Sequence, residues 1–440
     1  MWLLTCPLVC QVAYRVPCGL TLSQCWCRIR IARRIIPAQN QLKRIPFESL
    51  ISRSDLTVMK TYDCIVLGFG GVGSAAMRFA ALNGWSVLGI DRFGPAHDKG
   101  SSHGHTRVFR QAYFEHPDYV PLLLEAAELW DELNKRHRTK PSIKQLMHQA
   151  GVLTMGLEGS ETVQGVLQAC QQYHLDHDCF TAAEIRRRLP IFNLADDHVG
   201  VFEPSGGYLL VEQCVTAMVS QALKHGAEIQ SDTTVQNWSV DSAGLVTVTT
   251  DRGLFQAERL IVTAGAWSAD LLPFLRDELT VLRKQQHWYQ LDRVDQKQVN
   301  DFPVFMFDEP DGQLYYGVPE IDYLGMKVCR HSGGQSVSDP TTIDRSLDDK
   351  ELSAVESFMN QRLHFGKKRL VHHSVCMYTM SSDGHFIVDR VPDHDNVVFA
   401  AGLSGHGFKL APVIGKYLVD RLAGERKSTF DLFCLGREGT

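Results

Sequence analysis

The residues best placed to do chemistry begin with a set of glycines and an acid. Gly68, Gly70 and Gly73 stand at G-x-G-x-x-G spacing within Gly68-Phe69-Gly70-Gly71-Val72-Gly73, and Asp91 follows. Glycines so spaced allow a tight turn and let backbone approach a pyrophosphate, whose negative charge a helix N-terminus favours. An acid in the place of Asp91 accepts hydrogen bonds from an adenosine ribose. The chemistry indicated is dinucleotide binding, and the motif alone does not choose between FAD and a nicotinamide dinucleotide. Two distant segments also gather reactive and polar groups: Cys376-Met377-Tyr378-Thr379 and Ser404-Gly405-His406-Gly407-Phe408-Lys409.

To work, the glycines must join a strand to a helix. Residues 64–67 read as a short buried strand, 74–82 as a helix of small residues, and 85–90 as a second strand ending at Asp91. Further along, 122–133 carries apolar residues at helical spacing, and Val211–Lys224 is another helix, stopped by Gly226 and followed by a strand at Glu228–Gln230. Val246–Thr250 and 254–256 flank Asp251-Arg252-Gly253, a hairpin signal. Residues 260–267 form a buried strand running into a glycine turn, and 396–401 repeat that pattern before Gly402.

Nucleotide-fold elements thus occur early, in the middle and late in the chain. The expected class is α/β, with a Rossmann-like dinucleotide domain (59–141, 204–277 and 383–440) interleaved with a mixed-sheet α+β substrate domain (142–203 and 278–382). A ligand site is expected where the two meet.

A chain of 440 residues is long enough for two domains with ample cores, and its composition is that of a globular protein. The net charge of −5 gives no reason to expect nucleic acid or a membrane surface as partner. Residues 1–58 differ from the rest, with eight Lys/Arg against two acids and five of the twelve cysteines. Their apolar runs are too short to span a bilayer, and residues 1–14 lack the basic group of a secretory signal. An arginine-rich targeting peptide is one reading. The preferred one takes Met59 as the natural start, because Met59-Lys60-Thr61-Tyr62-Asp63 leads directly into the first strand. The other seven cysteines form no CxxC pair, which fits a reducing, cytoplasmic setting and argues against structural zinc, so no metal is expected.

From residue 59 onward the chain resembles the monomeric sarcosine oxidase and N-methyltryptophan oxidase family of FAD enzymes. The resemblance rests on five blocks in order: the glycine fingerprint; Gly100-Ser101-Ser102-His103-Gly104-His105-Thr106-Arg107-Val108-Phe109-Arg110; Tyr315-Tyr316-Gly317; Met326-Lys327-Val328-Cys329-Arg330-His331; and the Cys376 and His406 segments. It implies FAD as cofactor, covalently bound through Cys376, where a thiolate is a fitting nucleophile toward an electron-poor ring carbon.

It further implies that Arg110 and Lys409 hold a substrate carboxylate, a two-pronged guanidinium beside a point charge. Arg107 and Lys327 match positions near the flavin ring, with Lys327 serving oxygen, while Tyr316, His331 and His406 match pocket residues. The implied reaction is oxidation of a secondary amino acid by a monomeric enzyme, with oxygen reduced to hydrogen peroxide. A pipecolate-type cyclic substrate, or a flavin dehydrogenase passing electrons to a carrier, are the alternatives. Three departures stand out. His105 occupies an often acidic place, the 320–325 loop is individual, and the tail Phe430-Asp431-Leu432-Phe433-Cys434-Leu435-Gly436-Arg437 differs from the usual ending and lacks a Ser-Lys-Leu-like peroxisomal address.

Overall fold

Apolar residues on both faces of Thr61–Leu67 suit a central parallel strand, and that is where the strand lies. The computed structural model describes residues 60–137, 145–291, 302–364, 366–425 and 431–437; the basic segment 1–58 and Met59 lie outside the described residues. Thr61–Leu67 pairs in parallel with Val87–Ile90 on one side and with Gly253–Val262 on the other. The outer edge of Gly253–Val262 serves two partners in turn, Val246–Thr250 antiparallel near its start and His394–Ala401 parallel at Leu260–Val262. Glu228–Gln230, Val235–Val240 and Ile387–Val391 complete an eight-stranded sheet.

The helix Gly71–Leu82 covers this sheet with Ala75, Ala76, Ala80 and Ala81 buried. Small side chains let the helix Ala411–Ala423 come close, and a Cβ on its Gly415 would fall 2.6 Å from Ala75 Cβ. The helix begins at Gly71, three positions before the expected start, because Gly71, Val72 and Gly73 form its first turn. The second strand starts at Val87 rather than at 85; just before it, Ser86 and Asp63 bond each other's backbone amides through their side chains, and Ser86 O also accepts from the Asp63 and Cys64 amides.

A second, nine-stranded mixed sheet draws on Val152–Leu157, Asp178–Thr181, His198–Glu203 and the strands from Leu279 to Ser381. Its longest ribbon pairs Leu279–Leu291 with Lys368–Ser381, in a register that sets Lys284 opposite Cys376. A small third sheet joins Thr106–Phe109, Gly207–Leu210 and Met147–Gln149, so Met147–Gln149 pairs away from the nine-stranded sheet that follows it in sequence. Among the described residues no helix is long and apolar enough to cross a membrane.

Candidate active site

The fingerprint turn borders a cavity of about 190 Å³, lined among others by Gly68, Gly70, Asp91, Ser102, Thr263 and Gly402. Its glycines have different physical duties. Gly68 sits at φ +80°, and a Cβ on Gly73 would lie 1.8 Å from the Gly68 carbonyl oxygen, so these two let strand and helix pack. A Cβ on Gly70 would meet only Ser102 Oγ at 3.6 Å and would otherwise occupy the space bordering the fingerprint. Gly70 caps the helix without a side chain of its own, the Gly71 amide donates to Ser102 Oγ at 3.1 Å, and the first turn holds no acid. That positively polarised end is suited to a pyrophosphate. Asp91 Oδ2 accepts from the Phe69 amide and Oδ1 from the Phe93 amide, both at 2.9 Å, leaving lone pairs for ribose hydroxyls. Burial raises the Asp91 carboxyl and lowers the neighbouring His97 imidazole. These residues fit a dinucleotide.

A second cavity of about 50 Å³ adjoins the first, and Arg107, Tyr378, Gly405 and Phe408 line both. Strand periodicity places groups in its wall and behind it. Lys327 and Cys329 share one face of Met326–Arg330, His331 follows two residues on, and Tyr316 stands directly across from Cys329 on Leu314–Val318. Tyr316, His331, Arg110, His406 and Lys409 all line this second cavity. Arg107, on Thr106–Phe109, donates to Ser101 O at 2.7 Å and to Cys376 Sγ at 3.3 Å. Cys376 is buried beside the shared wall rather than on it, while its neighbours Met377, Tyr378 and Thr379 line the first cavity. Lys327 lies behind the wall. Its Nζ donates to the carbonyls of Gly104 at 2.8 Å and Thr106 at 3.1 Å, and sits 5.1 Å from the Trp288 ring centroid.

The second cavity's electrostatics are set mainly by burial. Desolvation, then repulsion from Arg110, lowers Lys409 to about 7. Burial likewise lowers His331 to about 3 and His406 to about 4, so both imidazoles are neutral at neutral pH. Two partners were not anticipated from sequence. Glu115 takes both its bonds from Arg110 Nη2, at 2.6 Å each. Burial pushes the Glu115 carboxyl up, but Arg110, His406 and Lys409 outweigh it and hold the group at about 2. Tyr113 Oη lies 2.6 Å from His406 Nδ1 and accepts from Lys409 Nζ at 3.2 Å. The only sequence signal for either was polar chemistry in the stretch just after Arg110. Among the described residues no group of three or more His, Cys, Asp or Glu is arranged to hold a metal ion.

Residues 63–421 match the family model described as FAD dependent oxidoreductase. The chain belongs to this FAD-dependent oxidoreductase family. Within it, the chain is similar to the monomeric sarcosine oxidase of Streptomyces avermitilis, 36% identical over 378 residues, covering 85% of this chain and 97% of the relative. It is also similar to the N-methyl-L-tryptophan oxidase of Yersinia pestis, 37% identical over 381 residues, covering 86% and 99%. Among solved structures, the open form of NikD, an amino acid oxidase of nikkomycin biosynthesis, superposes with a TM-score of 0.73 at 22% identity, covering 84% of this chain and 96% of that one, a likeness of fold. For this FAD-dependent oxidoreductase the dinucleotide left open by the glycine motif is FAD.

Proposed function

We propose that this FAD-dependent oxidoreductase oxidises a secondary amino acid of the N-methyl type, such as sarcosine or N-methyltryptophan. The observation that carries the reading is the adjoining pair of cavities, the second holding Arg110 and Lys409 next to the wall at Arg107 and Tyr378. The names of the two relatives support the same substrate class. The segments 59–141, 204–277 and 383–440 are assigned to cofactor binding, and 142–203 and 278–382 to the substrate side.

FAD, when bound, would supply the redox chemistry, namely acceptance of a hydride equivalent from the amine carbon and delivery of electrons to oxygen. The chain's own groups bind and orient. Gly68, Gly70, Gly73 and Asp91 hold the dinucleotide, and Arg110 with Lys409 fixes the substrate carboxylate. His331 and His406, neutral through burial, add no charge to repel the amine, and Tyr316 lines the same cavity. The substrate imine takes up water to give formaldehyde and the demethylated amino acid, with hydrogen peroxide as the other product. A peroxide-coupled screen of N-methyl and cyclic amino acids tests this. Peroxide with an N-methyl substrate is expected. Turnover of only cyclic substrates, or bleaching of the flavin by substrate with no peroxide in air, would replace the reading with a pipecolate oxidase or a dehydrogenase.

Covalent attachment through Cys376 is part of the proposal, supported by the Arg107 guanidinium 3.3 Å from the sulfur. After acid precipitation the yellow colour is expected in the pellet of the wild type and in the supernatant of Cys376→Ser. Colour released from both would reject the bond. A monomer acting in the cytoplasm completes the proposal; the seven described cysteines are all free, as a reducing compartment requires.

A further inference from the structure

The tail singled out in the sequence as atypical reaches back to the active site. Asp431–Phe433 forms a short 3-10 turn whose Phe433 packs on Tyr119 and Phe386, with ring centroids 5.2 Å apart in each case. Beyond it, Arg437 directs most of its guanidinium to one turn, with Nη1 also donating to Cys434 O in the tail itself at 3.2 Å. Nε and Nη2 donate to the two Asp383 oxygens at 2.7 Å each, Nη1 donates to Phe386 O at 2.8 Å, and Nη2 also to His385 O at 3.2 Å. The residue enclosed by this clasp is Gly384, at φ +79°.

Gly384 O lies 3.1 Å from His406 Nε2. A carbonyl oxygen can only accept, so in the neutral imidazole Nε2 carries the hydrogen and Nδ1 the lone pair. The Tyr113 hydroxyl, 2.6 Å from Nδ1, must then donate to it, which turns the phenolic lone pairs toward the Lys409 ammonium at 3.2 Å. In its ammonium form Lys409 can only donate, and its Nζ also donates to His406 O at 2.9 Å. The chain from Lys409 through Tyr113 and His406 to Gly384 therefore has one direction, set by a donor at one end and an acceptor at the other.

We propose that Arg437 is a positioning residue: by clasping the turn at Asp383 to Phe386 it fixes the Gly384 carbonyl, and through it the tautomer of His406 and the orientation of Tyr113 toward Lys409. With that carbonyl displaced, His406 is free to carry its hydrogen on Nδ1 and donate to Tyr113. The phenolic hydrogen then competes for the space of the Lys409 ammonium. The inference rests on the reading of Lys409 as a carboxylate ligand, and the tests separate the two.

In the flavin-loaded enzyme, nitrogen NMR of labelled histidines, with the His406 signals identified by their loss in His406→Asn, reads the tautomer. Acetate titrated against the flavin absorbance reads the carboxylate site. Arg437→Ala is expected to mix the His406 tautomers and weaken acetate by about tenfold, the scale of one charge-assisted contact, with KM raised and kcat little changed. Arg437→Lys should recover part of both. In a Tyr113→Phe background, which cuts the chain in its middle, Arg437→Ala should add nothing to the acetate effect.

An unchanged tautomer in Arg437→Ala, or acetate losses that add in the double variant, would overturn the proposal and leave Arg437 a purely structural clasp. Should Arg437→Ala not retain flavin, Asp383→Asn loosens the clasp from the other side with the tail intact and carries the same expectations. If Lys409→Ala leaves acetate affinity unchanged, the carboxylate reading fails while the NMR still decides the role of Arg437.

Discussion

Lys327→Met is expected to slow the oxygen half-reaction by about 10²–10³-fold, the scale of losing one preorganised electrostatic group, while anaerobic amine oxidation changes little. Oxygen becomes anionic as it accepts an electron, and a fixed positive charge stabilises that anion without reorganisation. Lys327 is suited to the task because its charge is held and not neutralised. Its partners are the carbonyls of Gly104 and Thr106, and among the described residues no carboxylate lies within ion-pair distance. Thr106 O also accepts from Arg107 Nη1 at 2.8 Å, so two cations converge on one carbonyl beside the cofactor cavity.

Burial lowers the ammonium to about 8. The sign follows directly: the charge is present below that pH and lost above it. The oxygen step of the wild type should therefore slow as pH rises through about 8, and that of Lys327→Met should be flat over the same range. Stopped-flow measurement of each half-reaction on both sides of this pH checks both statements. Equal losses in the two half-reactions would remove the dedicated oxygen role.

The second large effect concerns the carboxylate clamp. Losing one charge-assisted hydrogen bond costs about 1.5–3 kcal/mol, so Lys409→Ala and Arg110→Ala should each weaken substrate binding by roughly ten- to a hundredfold. Glu115 separates clamp from scaffold. Its bidentate contact neutralises Arg110 in the absence of substrate, so an incoming carboxylate must compete with it. Glu115→Gln is therefore expected to tighten binding of a simple carboxylate, opposite in sign to the other two variants. Affinities unchanged in both alanine variants would reject the clamp, and a Glu115→Gln enzyme that binds more weakly would show that the acid orders Arg110 rather than competing for it.

The fingerprint was legible because its information is local: a strand, three spaced glycines and an acid within one short stretch. What escaped were features decided by distant packing. The helix start at Gly71 was hidden because glycine is a poor helix former, yet its bare Cα is what Phe408 packs against, with a Cβ there 2.9 Å from the Phe408 ring. Residues 254–256 and 260–267 were read as separate strands, but Gly253–Val262 is one strand whose edge passes from Val246–Thr250 to His394–Ala401 at Leu260–Val262. Glu115 and Tyr113 stayed invisible as site residues, since nothing in their immediate neighbours foretells Arg110, His406 or Lys409 as partners.

That change of partner along Gly253–Val262 also imposes a timetable on biosynthesis. The backbone edge at Leu260–Val262 is completed only by Val397–Phe399. A ribosome adding about 5–20 residues per second needs on the order of ten seconds to deliver them. For that interval the nascent chain carries an apolar, unpaired parallel edge, the kind of surface that invites aggregation. The nucleotide fold, first to be started, is among the last to close, and shielding by a chaperone is most valuable between the emergence of these two strands.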